Sequence, residues 1–299
     1  MKSAGWIASR LGLLAAIWGS SFILIKRGLY NATGDVVFTG FQVGFLRITL
    51  AALVLLPFAL RSFKKVKKKE WVPLIVAGCV GNGMPALLFA IAQTKINSAL
   101  AGVLNSLTPF FTLIIGMVFF GVVASGRKYL GVILGLLGAI GLILSQSNFS
   151  FQLDQVGGYS LLVLAACLCY ASSVNIIKTY LKDLRPVEIT SISFAIMLLP
   201  FLSGVYFTDV PGVLSDVDGA WFSFLCISIL GVCGTALAVI LFNHVIKETS
   251  ALTASSVTYL IPIVAVIWGV VDGEAFTLLD LLFSLVIISG VYLVNSKKT

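Results

Sequence analysis

The sequence predicts an all-α integral membrane protein of about ten transmembrane helices, arranged as two inverted five-helix repeats. Three observations carry this expectation. Of 299 residues, 59% are hydrophobic and only 11% charged, against about 25% charged in soluble domains. Apolar runs of about 20 residues, the length that crosses a bilayer, recur along the chain. The second half also repeats the first in a constant register.

Spans are expected at 9–29, 38–60, 71–92, 98–121, 127–145, 158–178, 187–207, 220–242, 250–271 and 276–294. The first carries Ser20 and Ser21 and ends at Lys26 and Arg27. Tryptophan and lysine stand where a signal-peptide cleavage site would need small residues, so no cleavable signal is expected. The second holds Arg47 near its middle and runs into the basic stretch 61–69. The third is interrupted by Gly81, Gly83 and Pro85, and the fourth by Asn105, Ser106, Thr108 and Pro109. Glycine and proline weaken helices, and proline leaves a carbonyl without its donor. Lipid cannot satisfy that carbonyl, so such backbone must face protein or a wet cavity. The fifth span carries a stripe of Gly131, Gly135, Gly138 and Gly141, a close-packing face within or between protomers. The sixth holds Ser172, Ser173 and Asn175. Glu188 lies within a turn of the seventh span's start. The eighth contains Gly231 and Gly234, the ninth Thr258, Tyr259 and Pro262, and the tenth has Asp280 near its start.

The net charge is +8, but the basic residues sit in short loops beside apolar spans, so they set topology rather than bind nucleic acid. Lys2, Arg10, the 61–69 run, Arg127, Lys128, Lys178, Lys182, Arg185, Lys247, Lys297 and Lys298 share one side. Lys26, Arg27 and Lys95 share the other with most of the loop acids. The positive-inside rule then makes both termini cytoplasmic, in a plasma (inner) bacterial membrane. The five cysteines lie inside apolar segments without metal spacing. Neither metal nor cofactor is expected; the partners are the bilayer and a small solute.

The repeat is read directly. Trp18–Leu29 aligns with Tyr170–Leu181, matching Ser20/Ser172, Ser21/Ser173, Ile25/Ile177, Lys26/Lys178 and Leu29/Leu181 without a gap. At the same offset Lys95 meets Lys247, and one gap later Pro109 meets Pro262. Gly81–Pro85 has a looser counterpart in Gly231–Thr235. Five spans per copy is odd, so the second copy is inverted, with the halves dividing as 1–148 and 149–299. Inverted repeats with paired mid-depth breaks mark secondary transporters, whose site lies at the repeat interface.

Leu14–Phe22, Gly44–Ala51, Tyr259–Ile263 and Trp268–Glu274 together resemble the EamA-type permeases of the drug/metabolite transporter superfamily, in order and in both halves. The resemblance implies ten helices, a central cavity and transport, often export, of small metabolites such as amino acids. The chain departs from it at Gly121, where the family's proline helix often ends in Gly-Glu, and at Leu107-Thr108-Pro109 and Leu260-Ile261-Pro262, where an acid often precedes the proline. The superfamily's small multidrug carriers use a glutamate in their first helix, and Ser9–Leu29 contains no acid. Glu188 and Asp280 are expected near span ends, within reach of water.

Arg47 is the one charge well inside a span, a site candidate by default. Trp18, Ser20, Ser21, Asn82, Asn105, Ser106, Thr108, Ser172, Ser173, Asn175, Thr258 and Tyr259 are the expected lining, and Gly81, Gly83, Pro85, Pro109, Gly231, Gly234 and Pro262 the breaks. Phe89, Phe110 and Phe111 offer an aromatic wall. Lys26 and Lys178 are expected to snorkel. A homodimer through Gly131, Gly135 and Gly138 is one use of the glycine face. The rival to a carrier is an intramembrane enzyme such as an acyl or lipid-linked sugar transferase. It would need bases or metal ligands converging near the headgroups, and the lone His244 sits at a helix end.

Overall fold

A computed structural model describes residues 4–122, 126–146, 155–249, 251, 254 and 256–295. Span one is α1 (Ala4–Leu29) and span two α2 (Gly40–Ser62), started by Thr39 in a capping box with Gln42. Span three is α3 (Trp71–Gly78), a π-helical turn over Cys79–Gly83, and α4 (Met84–Ala92). Span four is α5 (Ser98–Asn105) and α6 (Thr108–Phe120), interrupted beside Pro109. Span five is α7 (Gly126–Gln146).

The second half follows the same plan. Span six is α8 (Gln155–Tyr180) and span seven α9 (Pro186–Phe207), followed by the short α10 (Val210–Asp216). Span eight is α11 (Ala220–Gly231), a π-helical turn over Val232–Leu237, and α12 (Ala238–Glu248). Span nine is a 3-10 turn over Ser256–Tyr259 and α13 (Ile261–Val271), and span ten is α14 (Leu278–Asn295). Among the described residues, seven segments are long and apolar enough to cross a membrane and three apolar helices are shorter.

Packing obeys the repeat. Each of α2, α7 and span four packs on its own counterpart in the other half: α2 on α9, α7 on α14, α5 on α13. The remaining spans cross over, α4 against α8 and α11 against α1. Such reciprocal pairing is what an inverted repeat produces about a two-fold axis in the membrane plane.

The glycine stripe is used inside the protomer. A Cβ on Gly138 would stand 2.8 Å from Ile287, and one on Gly141 would strike the Phe283 ring. Gly290 closes the contact from the other side, where a Cβ would stand 2.5 Å from the Gly135 nitrogen. The face formed by Gly131, Gly135 and Gly138 is therefore used against α14 within the protomer, one of the two uses expected of it.

Both acids expected near water are buried. Glu188 is 5% exposed and caps α9, accepting from the Arg185 backbone at 2.8 Å and pairing with Lys65 at 2.9 Å. Asp280 is 0% exposed and accepts from the Thr277 backbone and hydroxyl, both at 2.8 Å. Helix capping, which consumes a carboxylate at a span's first turn, accounts for both positions.

Candidate functional site

The four interrupted segments converge on one cavity between the halves, with about 80 Å3 of free volume. A single water needs about 10–15 Å3 by this measure, so the space suits a small solute. The breaks themselves are buried: Gly81, Gly83, Pro85, Pro109, Gly231, Gly234 and Pro262 all face protein rather than lipid.

The two π-turns are built alike. In span three the Asn82 side chain donates to the Ala77 carbonyl at 2.9 Å. In span eight the Thr235 hydroxyl donates to the Leu230 carbonyl, also at 2.9 Å. Each bond reaches back five residues and satisfies a carbonyl at a position where the α-helical ladder is interrupted. Each turn also admits a serine from the other half. A Cβ on Gly81 would overlap Ser173 Oγ, and one on Gly234 would stand 3.0 Å from Ser21 Oγ. Glycine is needed at the Gly81 crossing so that the helices can meet, and Gly234 makes the looser contact of the two.

The lining follows the same symmetry. Trp18 packs edge-on against Phe242 with ring centroids 4.9 Å apart, and Tyr170 packs on Phe89 at 6.1 Å. Trp18 and Tyr170 are counterparts in the repeat, and each packs on a phenylalanine of a span from the other half. Asn82 with Thr235, and Asn105 with Thr258, are the polar pairs on the wall. The Trp18 indole also donates to the Gly234 carbonyl at 2.9 Å, holding span one to the π-turn of span eight.

Arg47 breaks the symmetry. It lines the cavity at 8% exposure, and its Nε donates to Thr235 Oγ1 at 2.8 Å. Its guanidinium also has the Tyr170 side chain as a hydrogen-bond neighbour. Among the described residues no carboxylate pairs with it. A buried cation without an anion is costly unless a ligand supplies one.

Not every expected residue reaches the cavity. Trp18, Ser21, Arg47, Asn82, Asn105, Thr108 and Thr258 line it. Ser20 instead accepts from the Trp268 indole at 2.9 Å, and Ser172 bonds to Leu168 in its own helix. Ser106 is fully buried on the Val103 carbonyl. Ser173 fills the Gly81 crossing. Asn175 ties α8 to α6 through the Thr112 carbonyl at 3.1 Å. The Tyr259 side chain lies outside the described residues. Phe89 forms part of the wall, whereas Phe110 and Phe111 pack on each other with centroids 4.9 Å apart. Tyr170, Thr235 and Phe242 were not singled out from sequence, although the repeat places Tyr170 opposite Trp18.

The two lysines expected to snorkel do not. Lys26, one residue beyond the cavity-lining Ile25, lies 2.6 Å from Asp272 and 2.9 Å from Glu274, and Arg27 joins Asp272. Glu274 also accepts from the Ser98 and Ala99 backbone at 3.1 Å, the first turn of α5. This cluster bolts spans one, four and nine together at one end of the bundle. At the opposite end the counterpart Lys178 donates to the carbonyls of Ile246 at 2.9 Å, Lys247 at 3.3 Å and Thr249, capping α12. Among the described residues the carboxylate that would complete a matching cluster is missing there: Gly121 and Gly273 both follow their helices in a left-handed conformation, and the next residue is Val122 in one half and Glu274 in the other. The two ends of the bundle are thus closed by different chemistry.

The model of the EamA-like transporter family matches this chain twice, over residues 6–144 and 158–296. The chain belongs to the EamA-like transporter family. Within the drug/metabolite transporter superfamily it is therefore a multi-pass membrane transporter with two EamA halves, and the intramembrane transferase is set aside. An uncharacterized transporter of Archaeoglobus fulgidus is 23% identical over 98% of this chain and 99% of its own. The uncharacterized inner membrane transporter YedA of Escherichia coli K12 is 24% identical, covering 95% of this chain and 89% of YedA. A solved crystal structure superposes over 98% of both chains with a TM-score of 0.65 at 15% identity, which shows a shared fold.

Proposed function

We propose that this EamA transporter exports small metabolites such as amino acids or related carboxylate-bearing solutes, by alternating access around the cavity at the repeat interface. One observation carries the reading: Arg47 is buried in that cavity, and no carboxylate among the described residues neutralises it. A carboxylate solute would complete the site, taking two parallel hydrogen bonds from the guanidinium. Asn82, Asn105 and Thr258 would hold the solute's remaining polar atoms, and Trp18, Phe89, Tyr170 and Phe242 its apolar part. The small volume favours a metabolite over a bulky drug.

The inverted halves support alternating access, each half serving in turn as the other's mirror. We place the boundary between them at 148/149. Both termini face the cytoplasm in this proposal, supported by the basic loops, and the inner-membrane name of the Escherichia coli relative supports a bacterial plasma membrane. The test is uptake and counterflow in proteoliposomes with labelled amino acids and small carboxylic acids, beside the corresponding amides. Saturable transport of an acid but not its amide is expected. Equal transport of both would overturn the carboxylate reading, and transport of neither acids nor zwitterions would overturn the substrate class.

A further inference from the structure

A second concavity, of about 840 Å3, opens where α1, α2, α9 and α12 end on the basic side of the bundle. Its rim holds Arg10, Arg61, Lys65 and Arg185 against one acid, Glu188. Lys65 and Arg185 are both engaged with Glu188, at 2.9 Å each. Arg10 stacks on the Trp6 ring, 4.3 Å from its centroid. Among the described residues Arg61 has no ion-pair partner. The rim therefore carries a clear surplus of positive charge.

The wall below the rim is apolar, and the grading runs in the same direction on two helices. Along α2 and the 3-10 turn that follows it, Phe58 precedes Arg61 and Lys65 toward the membrane surface. Along span eight, Leu237 at the end of the π-turn and Ile240 on α12 precede His244. Phe58 is 48% and Leu237 54% exposed, so the wall is open to the bilayer. Apolar depth with a cationic rim matches one kind of molecule, an acyl chain ending in an anionic headgroup.

The concavity is not a vestibule of the central cavity. At 3.6 residues per turn, Ile240 and His244 lie on one face of α12, while Val239 and Phe242, which line the central cavity, lie on the opposite face. The helix separates the two spaces.

We propose that this crevice binds the phosphate headgroup of an anionic phospholipid from the adjoining leaflet, with Arg10 and Arg61 as the headgroup cations and the Phe58–Leu237 wall taking the acyl chain. The site tethers the moving halves' ends to the membrane surface, since α2 belongs to one repeat and α9 and α12 to the other. A cation at an anionic interface contributes about 1 kcal/mol, so removing two weakens lipid affinity by about 30-fold.

The test uses the full-length protein in detergent, with thermal unfolding and native mass spectrometry read against phosphatidylglycerol, phosphatidylcholine and inorganic phosphate. Phosphatidylglycerol should stabilise the wild type and remain bound, and phosphatidylcholine should do neither. Arg10→Gln/Arg61→Gln should lose that binding by about 30-fold while keeping the wild-type melting temperature in phosphatidylcholine. Lys68→Gln/Lys69→Gln removes as much charge outside the crevice and should keep it. Equal loss in both double variants would reduce the effect to a diffuse field and overturn the site. Equal stabilisation by inorganic phosphate would overturn the lipid as occupant, and so would equal binding of the two lipids. If Arg10→Gln/Arg61→Gln melts early without lipid, the single variant Arg61→Gln replaces it, and undiminished phosphatidylglycerol binding there would overturn the proposal.

Discussion

Replacing Thr235 by valine should loosen the cavity's buried cation, Arg47, while leaving the cavity's shape intact. Valine keeps the β-branch and nearly the volume of threonine but lacks the hydroxyl. That hydroxyl accepts from Arg47 Nε at 2.8 Å and donates to the Leu230 carbonyl at 2.9 Å, at a residue only 2% exposed. A hydrogen bond to a charged group is worth about 1.5–3 kcal/mol in water-soluble proteins. Between membrane helices the measured value is lower, about 0.6 kcal/mol on average and about 1.7 kcal/mol at most, because the inserted but unassembled helices also find partners. Losing the interhelical bond and the bond to Leu230 should therefore cost about 2 kcal/mol. Arg47 would then sample other directions, and carboxylate affinity should fall about tenfold, the equivalent of about 1.4 kcal/mol of lost pre-organisation. The assay is thermal unfolding and solute binding on Thr235→Val beside Thr235→Ser, which keeps the hydroxyl. Thr235→Ser should stay close to wild type. If the two variants melt together and bind the solute alike, the Thr235–Arg47 bond does not position the cation.

Two further variants probe the scaffold around the cavity. Gly81→Ala should destabilise by about 1–3 kcal/mol through overpacking on Ser173, and Ser173→Ala in the same chain should recover part of the loss; a thermal-unfolding double-mutant cycle without coupling would contradict the crossing. Glu274→Gln strips a carboxylate that is 4% exposed from Lys26 and from the first turn of α5. Breaking a buried pair costs about 3–5 kcal/mol in soluble proteins. The expected result is a lower unfolding temperature, with greater labelling of an introduced Ile25→Cys from the Lys26 side; unchanged labelling and stability would mean the cluster does not hold that end shut.

Much of the architecture was legible because the bilayer imposes it. Span lengths follow from apolar thickness, and the breaks at Gly81–Pro85 and Pro109 had to turn inward because lipid cannot bond to interrupted backbone. Arg47 was legible for the same reason, as an isolated cost in an apolar run. Tyr170 was hidden in plain view, since one tyrosine among many apolar residues carries no signal until the repeat sets it opposite Trp18. The environment of Lys26 was not legible at all. Proximity to a helix end suggests snorkelling, and its partners Asp272 and Glu274 come from another span, some 246 residues along the chain. Glu188 and Asp280 show the same limit: position along a span indicated water, whereas burial was decided by capping geometry and by neighbours from other helices. The glycine stripe predicted a close contact correctly, but its partner, α14, became visible only in three dimensions.

The central claim is that Arg47 is the solute's anchor, and transport by Arg47→Lys and Arg47→Ala in proteoliposomes tests it most directly. Both variants are compared with wild type for the same acid and its amide, after matched reconstitution and unfolding temperatures. Removing a charge-assisted, two-bonded contact of about 3 kcal/mol should raise KM for the acid by about 100-fold in Arg47→Ala. Arg47→Lys should fall between, because an ammonium keeps the charge and loses the planar fork. Wild-type KM and rate for the acid in a folded Arg47→Ala protein would contradict the account.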